Sequence, residues 1–157
     1  MRILIFSDTH GYTDSAEKQI KLINKVDAII HAGDYDRDAS ALKKAFPSIP
    51  VYGVRGNNEL YSKQPLDLTV KLGGKTIYIT HGHLYRVKQE VDSYSSLRAK
   101  AAEENADLCV FGHTHYPNLS YHGKLTLLNP GSITYSFTYA IAEIENGKLG
   151  VSIMKLI

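Results

Sequence analysis

Tryptophan is missing from this sequence and cysteine nearly so: Cys109, inside "DLCVF", is the one thiol among 157 residues. A lone cysteine excludes an intramolecular disulfide framework and fits a reducing compartment. Set in an apolar run, it is expected to be a buried, inert thiol. Long hydrophobic stretches are lacking too. No run approaches the roughly 18 apolar residues of a membrane span, and the N-terminal "MRILIF" stops short of the roughly 7–15 apolar residues of a secretory signal. A cytoplasmic protein with no membrane association is therefore expected. A dominant charge is also absent: 18 basic and 16 acidic residues leave a formal charge of +2. That balance points away from a dedicated nucleic-acid surface. With 43% apolar and 22% charged residues, the chain has the composition and size of one globular domain over residues 1–157.

What is present is an alternation of short apolar runs with amphipathic stretches. Residues 2–6 read as a strand, and residues 14–25 as a helix with Ala16, Ile20, Leu22 and Ile23 at helical spacing. A strand over 27–31, a helix over 38–46 stopped by Pro47, and a strand over 50–54 follow. This β-α-β-α-β opening predicts a parallel sheet with covering helices. Further on, strands over 68–72 and 76–80 flank "GGK", and a helix over 91–105 leads to a strand over 107–111. Pairs at 118–121 and 125–128, and at 138–144 and 149–156, flank "HGK" and "ENG", both hairpin signals. The prediction is a mixed α/β domain, parallel early and increasingly antiparallel late, without repeats or linkers.

The strand ends carry the chemistry. "RILIF" runs into "SDTHG", "DAIIH" into "AGD", "PVYGVR" into "GNNE", "TIYIT" into "HGH", and "DLCVF" into "GHTH". Sites in open α/β sheets form at the carboxyl ends of strands, so these five would gather Asp8, His10, Asp34, Asn57, His81, His113 and His115. Residues i and i+2 of an extended chain project together, which pairs Asp8 with His10 and His113 with His115. Nearby glycines relax the backbone in crowded turns. Carboxylate, imidazole and amide oxygen suit a divalent transition ion, and the lack of thiolates argues against a structural zinc. The supply is too large for one tetrahedral ion and right for two that share a carboxylate.

In these blocks (D-x-H, G-D, G-N, H-G-H and G-H-x-H, continuing to "NPGS" at residues 129–132) the sequence resembles the calcineurin-like metallophosphoesterase superfamily. Its shortness makes it most similar to the small YfcE-type phosphodiesterases. The resemblance implies a β-sandwich of mixed sheets flanked by helices, in four layers, with a dimetal site at the strand C-terminal edge. It also implies that Asp8, His10 and His115 hold one ion, that Asn57, His81 and His113 hold the second, and that Asp34 bridges them. Manganese is favoured by the resemblance, with nickel, iron or zinc compatible with the same donors. The implied reaction is hydrolysis of a small phosphodiester by a metal-bridging hydroxide.

One position departs from the wider pattern. Many members carry G-N-H-[DE], whereas this chain has "GNNE" with Asn58 in the histidine's place, as small YfcE-type members also tend to. An amide can donate a hydrogen bond to a phosphoryl oxygen but cannot deliver a proton near neutral pH. Asn58 and His83 are the candidate catalytic residues besides the ligands, with Arg86 a third group that could steady developing charge. His31 reads as a hydrogen-bonded buried histidine. Two alternatives stand beside the enzyme: a metallo-β-lactamase type of site, whose H-x-H-x-D-H is broken here by Tyr116 and Pro117, and a protein-binding scaffold of the same fold, as in the retromer subunit. The eleven tyrosines, with three aromatics in "TYSFTY", suggest either alternating strand faces or a Tyr-rich homo-oligomer interface. The loops 60–67 and 85–96 are expected to define which substrate fits.

Overall fold

The structure, a computed structural model, describes residues 1–59 and 61–156. The loop expected to shape the substrate site thus begins, at Leu60, outside the described residues. The elements follow in the order β1 (Arg2–Phe6), α1 (Asp14–Leu22), β2 (Ala28–His31), α2 (Asp36–Ala45), β3 (Val51–Gly53), β4 (Asp67–Leu72) and β5 (Lys75–Thr80). After a single 3₁₀ turn at His83–Tyr85 come α3 (Ser95–Glu103), β6 (Leu108–Val110), β7 (Asn118–His122), β8 (Leu125–Asn129), β9 (Thr138–Glu145) and β10 (Lys148–Lys155).

Alternation along β1 shows how these segments become layers. Ile3 and Ile5 point into the space between two sheets, while Leu4 and Phe6 point outwards under helices, and all four are fully buried. The first sheet has the order β10-β9-β1-β2-β3, with β1, β2 and β3 parallel and β9 and β10 antiparallel. The second has the order β4-β5-β6-β8-β7. Ile77, Ile79, Leu108, Val110 and Leu128 of the second sheet meet Ile3, Ile5 and Ile30 of the first in the central core. Ala16 and Ile20 of α1 and Leu42 of α2 cover Leu4, Phe6 and Ile29 on one outside face. Leu97 and Ala101 of α3 cover Tyr78, Cys109, Phe111 and Leu127 on the other. The expected four-layer sandwich of mixed sheets is therefore the fold. Cys109 is fully buried, and desolvation drives its thiol well above the usual range, as an inert core residue requires.

The differences lie in extents and pairing. The second half is not simply antiparallel: β5, β6 and β8 form a parallel triplet, with β4 and β7 antiparallel at the edges. The helix expected over 91–105 occupies only Ser95–Glu103, because Tyr94 takes a left-handed conformation at φ 48°. The Glu90 carboxylate there accepts bonds from the Ser96 amide (2.8 Å) and from the Ser95 and Ser96 hydroxyls (2.9 and 2.7 Å), capping the helix. The first helix ends at Leu22, short of the expected residue 25, where Lys25 has φ 58°. "TYSFTY" is not one strand with alternating faces, since only its last two residues enter β9. A turn precedes them, tied by Ser136 to the amide and carbonyl of Ser132, each at 2.9 Å. Among the described residues, no helix is long and apolar enough to cross a membrane.

Candidate metal centre

The five strand ends meet on one edge of the sandwich, three from the parallel part of the first sheet and two from the second. Asp8 lies at the centre and is fully buried. Its Oδ2 accepts from the Ser7 hydroxyl (2.6 Å) and the His113 amide (3.1 Å), while its Oδ1 is buried without a hydrogen-bond partner. Around that bare oxygen stand His115 Nε2 at 3.3 Å and His81 Nε2 at 3.9 Å. Asp34 is arranged alike: Oδ1 accepts from Asn58 Nδ2 at 2.6 Å, and Oδ2 is buried with His10 Nδ1 at 2.8 Å but without hydrogen-bond geometry. His10 Nε2 is buried and unpartnered as well. Buried anionic oxygens and ring nitrogens are rarely left unmatched, because desolvation costs several kcal/mol when nothing compensates it.

His81 makes the point more sharply. Its Nδ1 lies 2.8 Å from the Ala32 carbonyl, which can only accept, so Nδ1 carries the proton. Its Nε2 faces oxygens alone, Asn57 Oδ1 at 3.0 Å and Asp34 Oδ1 at 4.0 Å. Buried carboxylate, amide and imidazole atoms that converge in this way suit a cation. Among the described residues, two sets of ligand atoms lie within 4.8 Å of one another: Asp8, His10 and His115, and Asp8, Asp34 and His81. The donor set therefore fits divalent ions, with Asp8 common to both clusters and Asp34, of the second, 2.8 Å from His10 Nδ1 of the first.

The other expected residues are placed less tightly. The His113 ring sits 5.1 Å from that of His81, outside both tight sets. Asn57 and Asn58 are exposed, their side chains 3.4 Å apart. His83, in the 3₁₀ turn, has its ring 5.5 Å from His81 and 6.2 Å from His113, with Nδ1 buried and unpartnered. Arg86 is not brought to the site. It is largely exposed with its Nε 3.8 Å from Glu90, on the α3 side of the loop. His31 is buried and bonded at both ring nitrogens, as expected.

The electrostatics keep the ligands ready. Burial alone would raise Asp8, but the neighbouring His115 and His81 rings and the Ser7 hydroxyl outweigh it and hold the carboxyl below its usual range. Burial, with the neighbouring His81, pushes His113 down to about 4, so its imidazole is neutral and free to ligate near pH 7. Burial lowers His83 too, helped by His81 and Arg55. The adjacent Asp8 carboxylate raises His115. Lys88, whose charge is felt by both His113 and His115, and Arg55 are further cations near the site; each flanks a ligand block without being part of it, which is why the motifs alone do not single them out.

Local backbone explains how side chains so close can coexist. Asp8, His10, Asp34, His113 and His115 all have positive φ, between 50° and 135°. Such conformations cost about 1–3 kcal/mol each in non-glycine residues and cluster at functional sites. The expectation that glycines would absorb the strain is thus only half of the account, since the ligands themselves bear it. Glycine matters most for close approach: a Cβ on Gly112 would lie 2.6 Å from Asp8 Oδ2, with the Ser7 hydroxyl nearer still.

A second tier of polar groups, invisible in the motifs, holds the turns. Asp38 on α2 is buried and its Oδ2 accepts from the Thr9 hydroxyl and, at 2.8 Å, from the Gly11 amide. Thr9 Oγ1 also meets His31 Nε2 at 2.8 Å, and His31 Nδ1 accepts from the Gly33 amide at 3.2 Å. One directed chain of hydrogen bonds thereby joins the turn carrying Asp8 and His10 to the turn carrying Asp34. From the other side, the Asn129 amide donates to the Gly112 carbonyl at 2.9 Å and the Ser132 hydroxyl to the Asp8 carbonyl at 2.7 Å. "NPGS" thus acts as a clasp.

Comparison with known proteins agrees with this geometry. Residues 1–147 match the calcineurin-like phosphoesterase superfamily domain. The chain is 34% identical to a probable metallophosphoesterase, YsnB, of Bacillus subtilis, over 93% of this chain and 86% of that one. It is 26% identical to the phosphodiesterase YfcE of Escherichia coli, over 85% and 80% of the two chains. The crystal structure of a predicted phosphoesterase from Streptococcus pneumoniae superposes with a TM-score of 0.80 at 33% identity, covering 98% of this chain and 88% of the other.

Proposed function

The chain belongs to the calcineurin-like phosphoesterase superfamily, and from that membership we propose that it is a phosphodiesterase working with two divalent ions on a small phosphodiester, as one domain over residues 1–157. Asp8, His10 and His115 would hold one ion, Asn57, His81 and His113 the other, with Asp34 between them; manganese is favoured, and nickel, iron and zinc suit the same donors. Bound there, such ions supply Lewis acidity towards phosphoryl oxygens and a nucleophile at neutral pH.

The chain's own residues do the rest. Asp38, Thr9 and His31 keep the two ligand turns in register, so little rearrangement remains when substrate arrives. Asn58 Nδ2, 2.6 Å from Asp34 Oδ1 and exposed, can turn its second hydrogen to a phosphoryl oxygen. His83, neutral because burial lowers it, offers a further hydrogen bond from the second-sheet side. Neither group is a strong acid, so leaving groups that are stable without a proton, such as phenolates, are favoured over the more basic alkoxides.

The observation that carries the reading is the set of buried, unpartnered atoms Asp8 Oδ1, His10 Nε2 and Asp34 Oδ2 at one strand edge. The scaffold alternative predicts no need for these groups, and this chain keeps them all. The test is metal analysis of the manganese-reconstituted protein together with hydrolysis of bis(4-nitrophenyl) phosphate. Two ions per chain and turnover are expected, both largely lost in Asp34→Asn. One ion or none, with activity unchanged in the variant, would sink the reading.

A further inference from the structure

Next to the ligands lies a hollow of about 300 Å³, lined by Thr114, His115, Tyr116, Tyr135 and Ser136. His115 is common to the hollow and to the first ligand set. The Tyr135 ring lies parallel to the His115 imidazole, 8° between planes and 5.1 Å between centroids, and edge-on to His10 at 5.1 Å. Tyr116 and Tyr135 are 77% and 65% exposed. Large rings left in water beside a cleft represent unspent apolar area, and paired exposed aromatics mark binding surfaces more than scattered ones do.

The hydroxyls of the hollow decide what it can recognise. Thr114 Oγ1 is taken up by Asn129 Nδ2 at 2.9 Å and by the Tyr116 amide and carbonyl at 3.3 Å. Ser136 Oγ is taken up by the Ser132 amide and carbonyl and by Thr138 Oγ1 at 2.8 Å. No lysine, arginine or carboxylate is among the lining residues. The threonine and serine hydroxyls are thus already committed, and what the hollow offers is ring faces, with the two tyrosine hydroxyls at the ring tips. A volume at the bottom of the ~300–1,000 Å³ range of small-molecule pockets suits one ring system.

We propose that this hollow is a subsite for a planar aromatic substituent of the substrate, a nucleobase or an aryl group, held by stacking on Tyr116 and Tyr135 and not read through its edge. The proposal rests on the phosphodiesterase reading, because the substituent is tethered through phosphorus to the neighbouring site. Stacking tolerates any base, since every base has a π face. Adenine and guanine should bind alike, and a purine should bind better than a pyrimidine because it covers more ring.

The test uses the manganese-loaded full chain and calorimetric binding of four probes: AMP, UMP, phenyl phosphate and ribose 5-phosphate. Ribose 5-phosphate reports the phosphoryl site alone, and the advantage of the others reports the hollow. AMP should bind roughly tenfold tighter than ribose 5-phosphate, with UMP between them. Tyr116→Ala should erase that advantage without weakening ribose 5-phosphate, and Tyr116→Phe should keep it. An advantage for phenyl phosphate equal to that of AMP identifies an aryl ligand, and an advantage limited to nucleotides identifies a nucleobase. Equal binding of all four probes, or an advantage that survives Tyr116→Ala, would overturn the subsite and leave the phosphodiesterase standing. Binding of none would overturn both.

Discussion

Thr9 sits between two ligands, and replacing it with valine tests the hydrogen-bond chain with almost no change of shape. The hydroxyl is both acceptor and donor: it receives His31 Nε2–H and gives its own proton to Asp38. In Thr9→Val the His31 N–H is left without an acceptor, at about 1–3 kcal/mol, and the Asp38 carboxylate loses a charge-assisted donor, at about 1.5–3 kcal/mol. Both partners are buried, so water cannot replace what is lost. The sum, about 2.5–6 kcal/mol, is a large share of the roughly 5–15 kcal/mol that holds a typical domain together. For a chain of this size each kcal/mol moves the thermal midpoint by about 2–4 °C, so a fall of about 5–24 °C is expected. The assay is thermal unfolding of chelator-treated protein followed by circular dichroism, with Thr9→Ser as the control that restores the hydroxyl. A midpoint within about 2 °C of the parent in Thr9→Val would refute the reasoning, since the chain would then contribute less than 1 kcal/mol. Manganese affinity should weaken alongside, because Asp8 and His10 lose the anchor between them.

Acidification should destabilise the metal-free protein. The folded-state values of His31 and His113 are depressed by burial, so their contribution is complete above the unfolded histidine value near 6.5 and is lost as pH falls, for His113 towards about 4. His115, raised by Asp8, works in the opposite sense and offsets part of this. Unfolding midpoints measured at pH 7.5, 5.5 and 4.5 should fall in that order, and a flat or rising series would contradict the two depressed values. The amide at position 58 should make turnover depend steeply on leaving-group pKa, with aryl diesters far ahead of alkyl monoesters. Asn58→His should flatten that dependence, and similar rates across leaving groups in the parent enzyme would remove the argument.

The site was legible because its signals are local. Asp8 and His10, or His113 and His115, advertise themselves at a spacing of two, and each pair follows a short continuous apolar run, as in Ile3 to Phe6. The parallel triplet was not legible. β6 pairs with β8, skipping β7, and nothing in "LCV" or "LTLLN" encodes a neighbour chosen by core packing. The start of α3 was hidden for a similar reason, since its capping carboxylate, Glu90, precedes the helix by several residues and acts from outside it. Asp38 looked like an ordinary residue at a helix start. Its partners Thr9 and Gly11 lie 29 and 27 positions away, and only the fold brings them to it. The same holds for Tyr135, whose stacking on His115 follows from a turn that reads as strand when only its composition is considered.

The candidate ligands come from both sheets, and this has a consequence in time. Asp8 is made early and His113, whose amide closes on it, follows 105 positions later. β9, which flanks β1 in the first sheet, is made later still. A fragment that ends before His113 lacks part of the constellation, so capture of metal by the full set would require strands of both sheets to have been made. An ion held there would then be a tie across a very long loop, and such closures constrain the unfolded chain most. Uptake of metal would serve as the molecule's own inspection of whether both halves arrived in the right place, with misfolded copies left unloaded and inert.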